Sequence, residues 1–255
     1  MNTRLSTLSA WHLAVVLSAV PAGAADLPAA APSFTPRAQS LACAPRTLTP
    51  PAAAPRVLGG RDRVTKGMFA PGEAIVLDTS DASVSAGQLY VVYRTPRSAV
   101  SDDSAWAQRA AQNAGLVRVD AVTGRTASAT VVWACDGVEI GDRVEPYAPP
   151  HAAPEVSKQP GPARFDQATE VLFGGQDRRM GAARDYLLVG RAQGMDVTPG
   201  QRVTFFRRPF GVDGPISIVG EGVVQDVATD TLLVEVASSR DAIAAGDLVA
   251  THRPQ

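Results

Sequence analysis

The chain has 255 residues, of which 45% are hydrophobic, 5% aromatic and 19% charged, and its formal net charge is −1. A balance this close to neutral argues against a nucleic-acid or anionic-membrane partner, either of which favours a basic face. Few aromatics beside 22 glycines and 20 prolines suit a chain of many short strands and turns.

The N-terminus carries one cation, Arg4, then an apolar run at 11–20 and the small-residue stretch Ala22-Gly23-Ala24-Ala25. A basic start, a short apolar core and an A-x-A site predict a secretory signal peptide over 1–24, cut after Ala24 or Ala25. An uncleaved anchor is the competing reading, but a core of about 10 residues is too short to span a bilayer. The protein is therefore expected to be exported, in the periplasm or associated with the outer envelope. No later stretch approaches the length of a membrane helix, so no transmembrane segment is expected after cleavage. Export also places Cys43 and Cys135 in an oxidising compartment, where they are candidates for a disulfide, with two separate thiols as the alternative.

Residues 25–56 are rich in Ala and Pro and predict an extended arm without regular helix. A second Pro-rich linker covers 148–167. The segments that follow these linkers, 57–147 and 168–255, repeat one pattern in the same order. LGGRDR at 58–63 answers FGGQDR at 173–178. An apolar run at 74–77 (AIVL) answers 186–189 (YLLV). VSAGQ at 84–88 matches VTPGQ at 197–201, YVVYR at 90–94 matches VTFFR at 203–207, and each of those strands has a proline two residues beyond its Arg. GLVRV at 115–119 answers GEGVV at 220–224, and DGVEIGD at 136–142 answers DAIAAGD at 241–247. Ordered self-similarity of this kind means one structural unit used twice.

Each unit reads as about six strands. In the first they fall near 56–60, 73–79, 88–95, 115–123, 126–135 and 143–147. In the second they fall near 168–174, 185–191, 201–208, 216–227, 231–238 and 247–252. β-branched and aromatic residues dominate these runs, and partial alternation marks strands with one wet face. Gly141-Asp142 and Gly246-Asp247 read as turns before the last strands. The insert at 104–114 has helix-forming composition and predicts a short helix in the first unit; the second unit has the turn-like 210–215 there. The expected fold is all-β, two tandem small β-barrels with a short helix inserted in the first. Closure removes exposed strand edges. One sandwich made by both units is the runner-up.

Catalytic readings are thin. Asp78 follows an apolar run and precedes Thr79-Ser80, as in the catalytic loop of aspartic proteases, whose chemistry needs two carboxylates sharing a proton. The second unit has no aspartate there, so only a homodimer would supply the pair; the plainer reading is that Asp78 starts a turn. Of the histidines, His12 is in the signal, His151 in a linker and His252 near the end, so a Ser-His-Asp arrangement has little support. A pairing of Cys135 with His252 is conceivable. No His or Cys residues share metal-ligand spacing, and neither Gly-Gly pair is followed by a phosphate-loop Lys, so no metal or cofactor is expected. Arg94 and Arg207 occupy the same place in the two units. Each is expected to pair with an aspartate of its own unit, and both are candidate partner contacts, as is Trp106 of the insert.

The repeated pattern resembles β-barrel repeats of exported bacterial envelope proteins that often carry LysM modules. It is more distantly similar to the C-terminal domain of flagellar assembly protein T. The resemblance covers roughly 57–147 and 168–253 and brings no catalytic residues with it. Export, a duplicated β unit and the lack of convergent catalytic groups point to a non-enzymatic envelope scaffold or binding protein whose partner is another envelope protein or a cell-wall glycan. The alternative is a dimeric aspartic-type protease using Asp78.

Overall fold

A computed structural model describes residues 35–48, 54–62, 66–80, 82–97, 106–149, 154–158 and 160–253. The expected signal peptide, the first part of the arm, His151 and the start of the insert lie outside these residues.

The arm is more structured than its composition suggests. Helix α1 (Pro36–Ala42) starts at Thr35, whose side-chain oxygen accepts from the Ala38 amide at 3.3 Å. Its one proline sits in the first turn, where a missing N–H costs nothing. Strand β1 (Pro45–Thr47) follows.

The first unit contributes β2 (Arg56–Gly60), β3 (Met68–Phe69), β4 (Ala74–Asp78), β5 (Leu89–Arg94), β6 (Ala110–Thr123), β7 (Thr126–Ala134), β8 (Val138–Glu139) and β9 (Arg143–Pro146). The second contributes β10 (Thr169–Gly174), β11 (Met180–Gly181), β12 (Tyr186–Gly190), β13 (Arg202–Arg207), β14 (Ser217–Val227), β15 (Thr231–Ser239), β16 (Ile243–Ala244) and β17 (Leu248–Thr251). Six strands of the first close in the order β2-β4-β7-β6-β5-β9, with β1 added on β6. Six of the second close as β10-β12-β15-β14-β13-β17. These orders are identical when the strands are matched along the chain. So are the small ribbons, β3 with β8 and β11 with β16. Even the irregularities recur: register shifts fall between Val57 and Gly59 in β2, and between Val171 and Phe173 in β10.

Each barrel is filled by its inward-facing set. Val57, Ile75, Leu77, Val92, Val117 and Val131 are among those in the first, and Val171, Leu187, Val189, Phe205, Val234 and Ile243 among those in the second. No helix among the described residues is long and apolar enough to cross a membrane.

The insert holds a short helix as expected, but a briefer one. Its helix is a single 3-10 turn, Ala107–Arg109, and residues 110–114 are the first part of β6. Helix propensity loses there to tertiary packing. Ala110, Ala111 and Ala114 are buried, and such small side chains let β1 and the second barrel approach closely.

Candidate functional site

The register of the last strands decides where the two repeated arginines go. Tyr93 lies opposite Arg143, and Phe206 opposite Leu248. One step further along the antiparallel pair, Arg94 faces Asp142 and Arg207 faces Asp247. Arg94 donates through Nε and Nη2 to the two oxygens of Asp142 at 3.0 and 2.8 Å, through Nη1 to Glu139 at 2.8 Å, and through Nη2 to the Gly137 carbonyl at 2.5 Å. Arg207 does the same with Asp247 at 2.6 and 2.8 Å, Asp241 at 2.7 Å and the Ala242 carbonyl at 2.6 Å. Each aspartate also accepts from a backbone amide, of Glu139 at 2.8 Å or Ala244 at 2.7 Å. The two forks close each barrel's final loop onto the strand before the insert, with the bidentate geometry that guanidinium and carboxylate favour.

Burial opposes the charge on Arg94, but the bond to Asp142 and the charges of Asp142, Asp136 and Glu139 together outweigh it and hold the guanidinium above its usual range. Arg207 is pushed up further by Asp247. Burial in turn moves the Asp142 carboxyl up, against the pull of Arg94. Both arginines are therefore committed within their own units.

Trp106 meets the other barrel. Its ring stacks on Phe173 with centroids 5.9 Å apart, in a small core with Ala107, Ala110, Leu172 and Leu188. Around it, Arg109 pairs with Asp230, the Thr47 and Thr231 hydroxyls lie 2.9 Å apart, and Gln176 donates to the Cys135 carbonyl at 3.0 Å. Nothing in the strand patterns singled out Arg109 or Asp230. Leu188 had one signal, the uninterrupted apolar run of β12, since a strand without polar alternation has both faces covered.

The arm lies along this seam. Cys43 and Cys135 form a disulfide with Cα atoms 5.7 Å apart. β1 pairs with 110–112 of β6, and Asn113 donates to the Ala42 carbonyl at 2.7 Å. Arg46 donates to Asn113 at 2.9 Å, reaches Glu145 at 2.5 Å and covers the Tyr93 ring. Beside the arm is a cleft of about 380 Å³, to which the arm brings Pro45 and Arg46, the first barrel Val91 and Tyr147, the linker Pro149 and Pro154, and the second barrel Asp226 and Leu233.

The disulfide leaves no Cys135 thiol for His252. That ring is held by the Gly161 carbonyl at Nδ1 and the Thr204 hydroxyl at Nε2. Asp78 ends β4, and its Oδ1 accepts from the Ser80 amide at 2.9 Å and hydroxyl at 2.5 Å. Those bonds hold its carboxyl below the usual range. Among the described residues, no three His, Cys, Asp or Glu side chains gather to hold a metal ion. Neither the protein-family models nor the curated proteins compared with this chain give a match to it.

Proposed function

We propose that this chain is a non-enzymatic exported envelope protein that holds another envelope component, a protein or a cell-wall glycan, in the cleft beside its arm. The observation that carries this reading is the weld at the seam. A disulfide, an added strand and a polar border join the arm to two closed barrels, and the cleft beside them gathers side chains from four segments of the chain. Preformed concavities with a few fixed polar groups among apolar ones are typical ligand sites. Tyr147, Val91 and Leu233 line the cleft beside its prolines, and Arg46 and Asp226 border it with charges of opposite sign. A disulfide suits an oxidising compartment, which supports export beside the N-terminal pattern.

A photo-cross-linking residue in place of Tyr147 is expected to form an adduct in intact cells with a cell-wall or envelope-protein fraction. Val91→Arg, which fills the cleft, is expected to abolish it. If Tyr147 gives no adduct, the binding role is lost. N-terminal sequencing of the exported chain is expected to start at Ala25 or Asp26, and an intact Met1 removes the cleavage.

A further inference from the structure

The seam joins two different faces of the repeated unit. The first barrel gives the stretch that leads into β6, with Trp106, Ala107 and Ala110, the first residue of that strand. The second gives the outer face of β10 and β12, with Leu172, Phe173 and Leu188. Because the unit is duplicated, each chain carries one more copy of each face. The pairing registers identify them. Gln112 lies opposite Arg94 as Ser217 lies opposite Arg207, so the counterpart of the stretch before β6 is the loop before β14. Gly59 lies opposite Val76 as Phe173 lies opposite Leu188; the pairing thus shifts the sequence match of Leu58 with Phe173 by one residue, and the counterpart of the receiving face is Leu58, Gly59 and Val76.

Both spare faces are apolar and open. Phe210 is 78% exposed and Val212 79%, with Ile216 and Ile218 also exposed beside them. Leu58 is 50% exposed, whereas its counterpart Leu172 packs into the seam. Where Phe173 fills the second barrel's face, the first has Gly59, and a Cβ built there meets nothing within 4 Å. That notch leaves room for an incoming aromatic. The charges agree as well, with their signs exchanged. Arg109 pairs with Asp230 at the seam. In the first barrel Arg125 stands at the position of Asp230, because Thr126 lies opposite the end of β4 as Thr231 lies opposite the end of β12. In the second, Asp213 stands one residue from the position of Arg109.

We propose that the chain associates head to tail with further copies of itself, the 210–218 loop of one copy seating on the outer face of β2 and β4 in the next. Phe210 enters above Gly59, Val212 and Ile216 cover Leu58 and Val76, and Asp213 meets Arg125. The contact repeats between molecules the docking that already exists within one. It is heterologous, so it extends into rings or filaments and does not stop at a dimer.

Sedimentation velocity on the exported, oxidised chain tests this. The wild type is expected to sediment faster as concentration rises, passing beyond the dimer. Phe210→Asp and Leu58→Asp, each in a folded protein by circular dichroism, are each expected to weaken association by about thirtyfold or more. Mixing them decides the geometry. The first variant keeps its receiving face and the second its loop, so the mixture forms a one-to-one dimer that grows no further. Arg125→Asp with Asp213→Arg, a pair of exposed substitutions, is expected to restore what Arg125→Asp alone loses. A wild type that stays monomeric at every concentration overturns the proposal. So does association that neither variant affects, or a mixture that fails to dimerise. The proposal stands apart from the envelope role, because the Tyr147 cross-link reads a different surface.

Discussion

Replacing Arg94 with Met takes four hydrogen bonds from the first barrel's closing loop. It leaves Asp142, whose side chain is 4% exposed, without its cation. Breaking a buried pair from one side costs about 3 kcal/mol, and urea denaturation of Arg94→Met is expected to show a loss of that order. Arg94→Lys restores little of it, because an ammonium cannot span both carboxylate oxygens. The loss depends on pH in a definite sense. Burial already moves Asp142 upward, and without Arg94 it moves further. A carboxyl raised on folding contributes stability that is complete below the ordinary value of about 4 and is lost as pH rises through the raised one. Arg94→Met is therefore expected to come closest to the wild type in acid. A deficit that grows toward acid pH contradicts this account of Asp142. Asp78 has the opposite sign, since its bonds to Ser80 lower it. A protease dyad needs one carboxylate to keep a proton, and these bonds favour the charged form. An NMR titration is expected to place the Asp78 midpoint below the usual carboxylate range. Casein cleavage at acid pH, abolished by Asp78→Asn, would restore the protease alternative.

Strands and arm carry the next set of consequences. One departure between the repeats, GLVRV against GEGVV, has a packing reason. Val117 of the first barrel corresponds to Gly222 of the second, and Val92 to Phe205. A Cβ on Gly222 meets Phe205 at 2.9 Å and Val234 at 2.7 Å. Two valines fill the space in one copy, a phenylalanine and a glycine in the other. Gly222→Val is expected to destabilise by about 2 kcal/mol through overpacking. Phe205→Val in the same chain is expected to recover part of that, which a double-mutant cycle measures. The arm depends on the disulfide, which joins cysteines 92 residues apart. Replacing both with serine is expected to cost about 4 kcal/mol, mainly by freeing the unfolded chain. Hydrogen exchange should then show the amides of 110–112 losing protection as β1 detaches.

For the whole molecule, the seam sets how the barrels unfold. The Trp106 ring on Phe173 and the Arg109–Asp230 pair cross between them. Trp106→Ala removes the largest apolar group from that small core and is expected to cost about 2 kcal/mol. Its denaturation is expected to separate into two transitions where the wild type shows one. A single unchanged transition in the variant means that the barrels are coupled through the arm alone.

Duplication, strand positions and barrel closure were legible in the chain, because turn glycines and β-branched runs act locally and recur in order. The pairing of Arg94 and Arg207 within their own units was legible as well, since the Asp-x-x-x-x-Gly-Asp segment that supplies the aspartates recurs in both. What the tertiary structure decided lies where local preference meets a neighbour distant in sequence. Residues 110–114 compose a helix but extend β6, because β1 and the second barrel pack on both sides of it. Trp106 lies against Phe173, a contact no spacing encodes. The arm forms a helix and a strand on either side of Cys43, which is bonded to the distant Cys135. The sequence by itself determined the two frames, through periodicity inside each unit. Only the folded chain decided which faces of those frames are covered and which stay open, because that depends on contacts between units that no periodicity records.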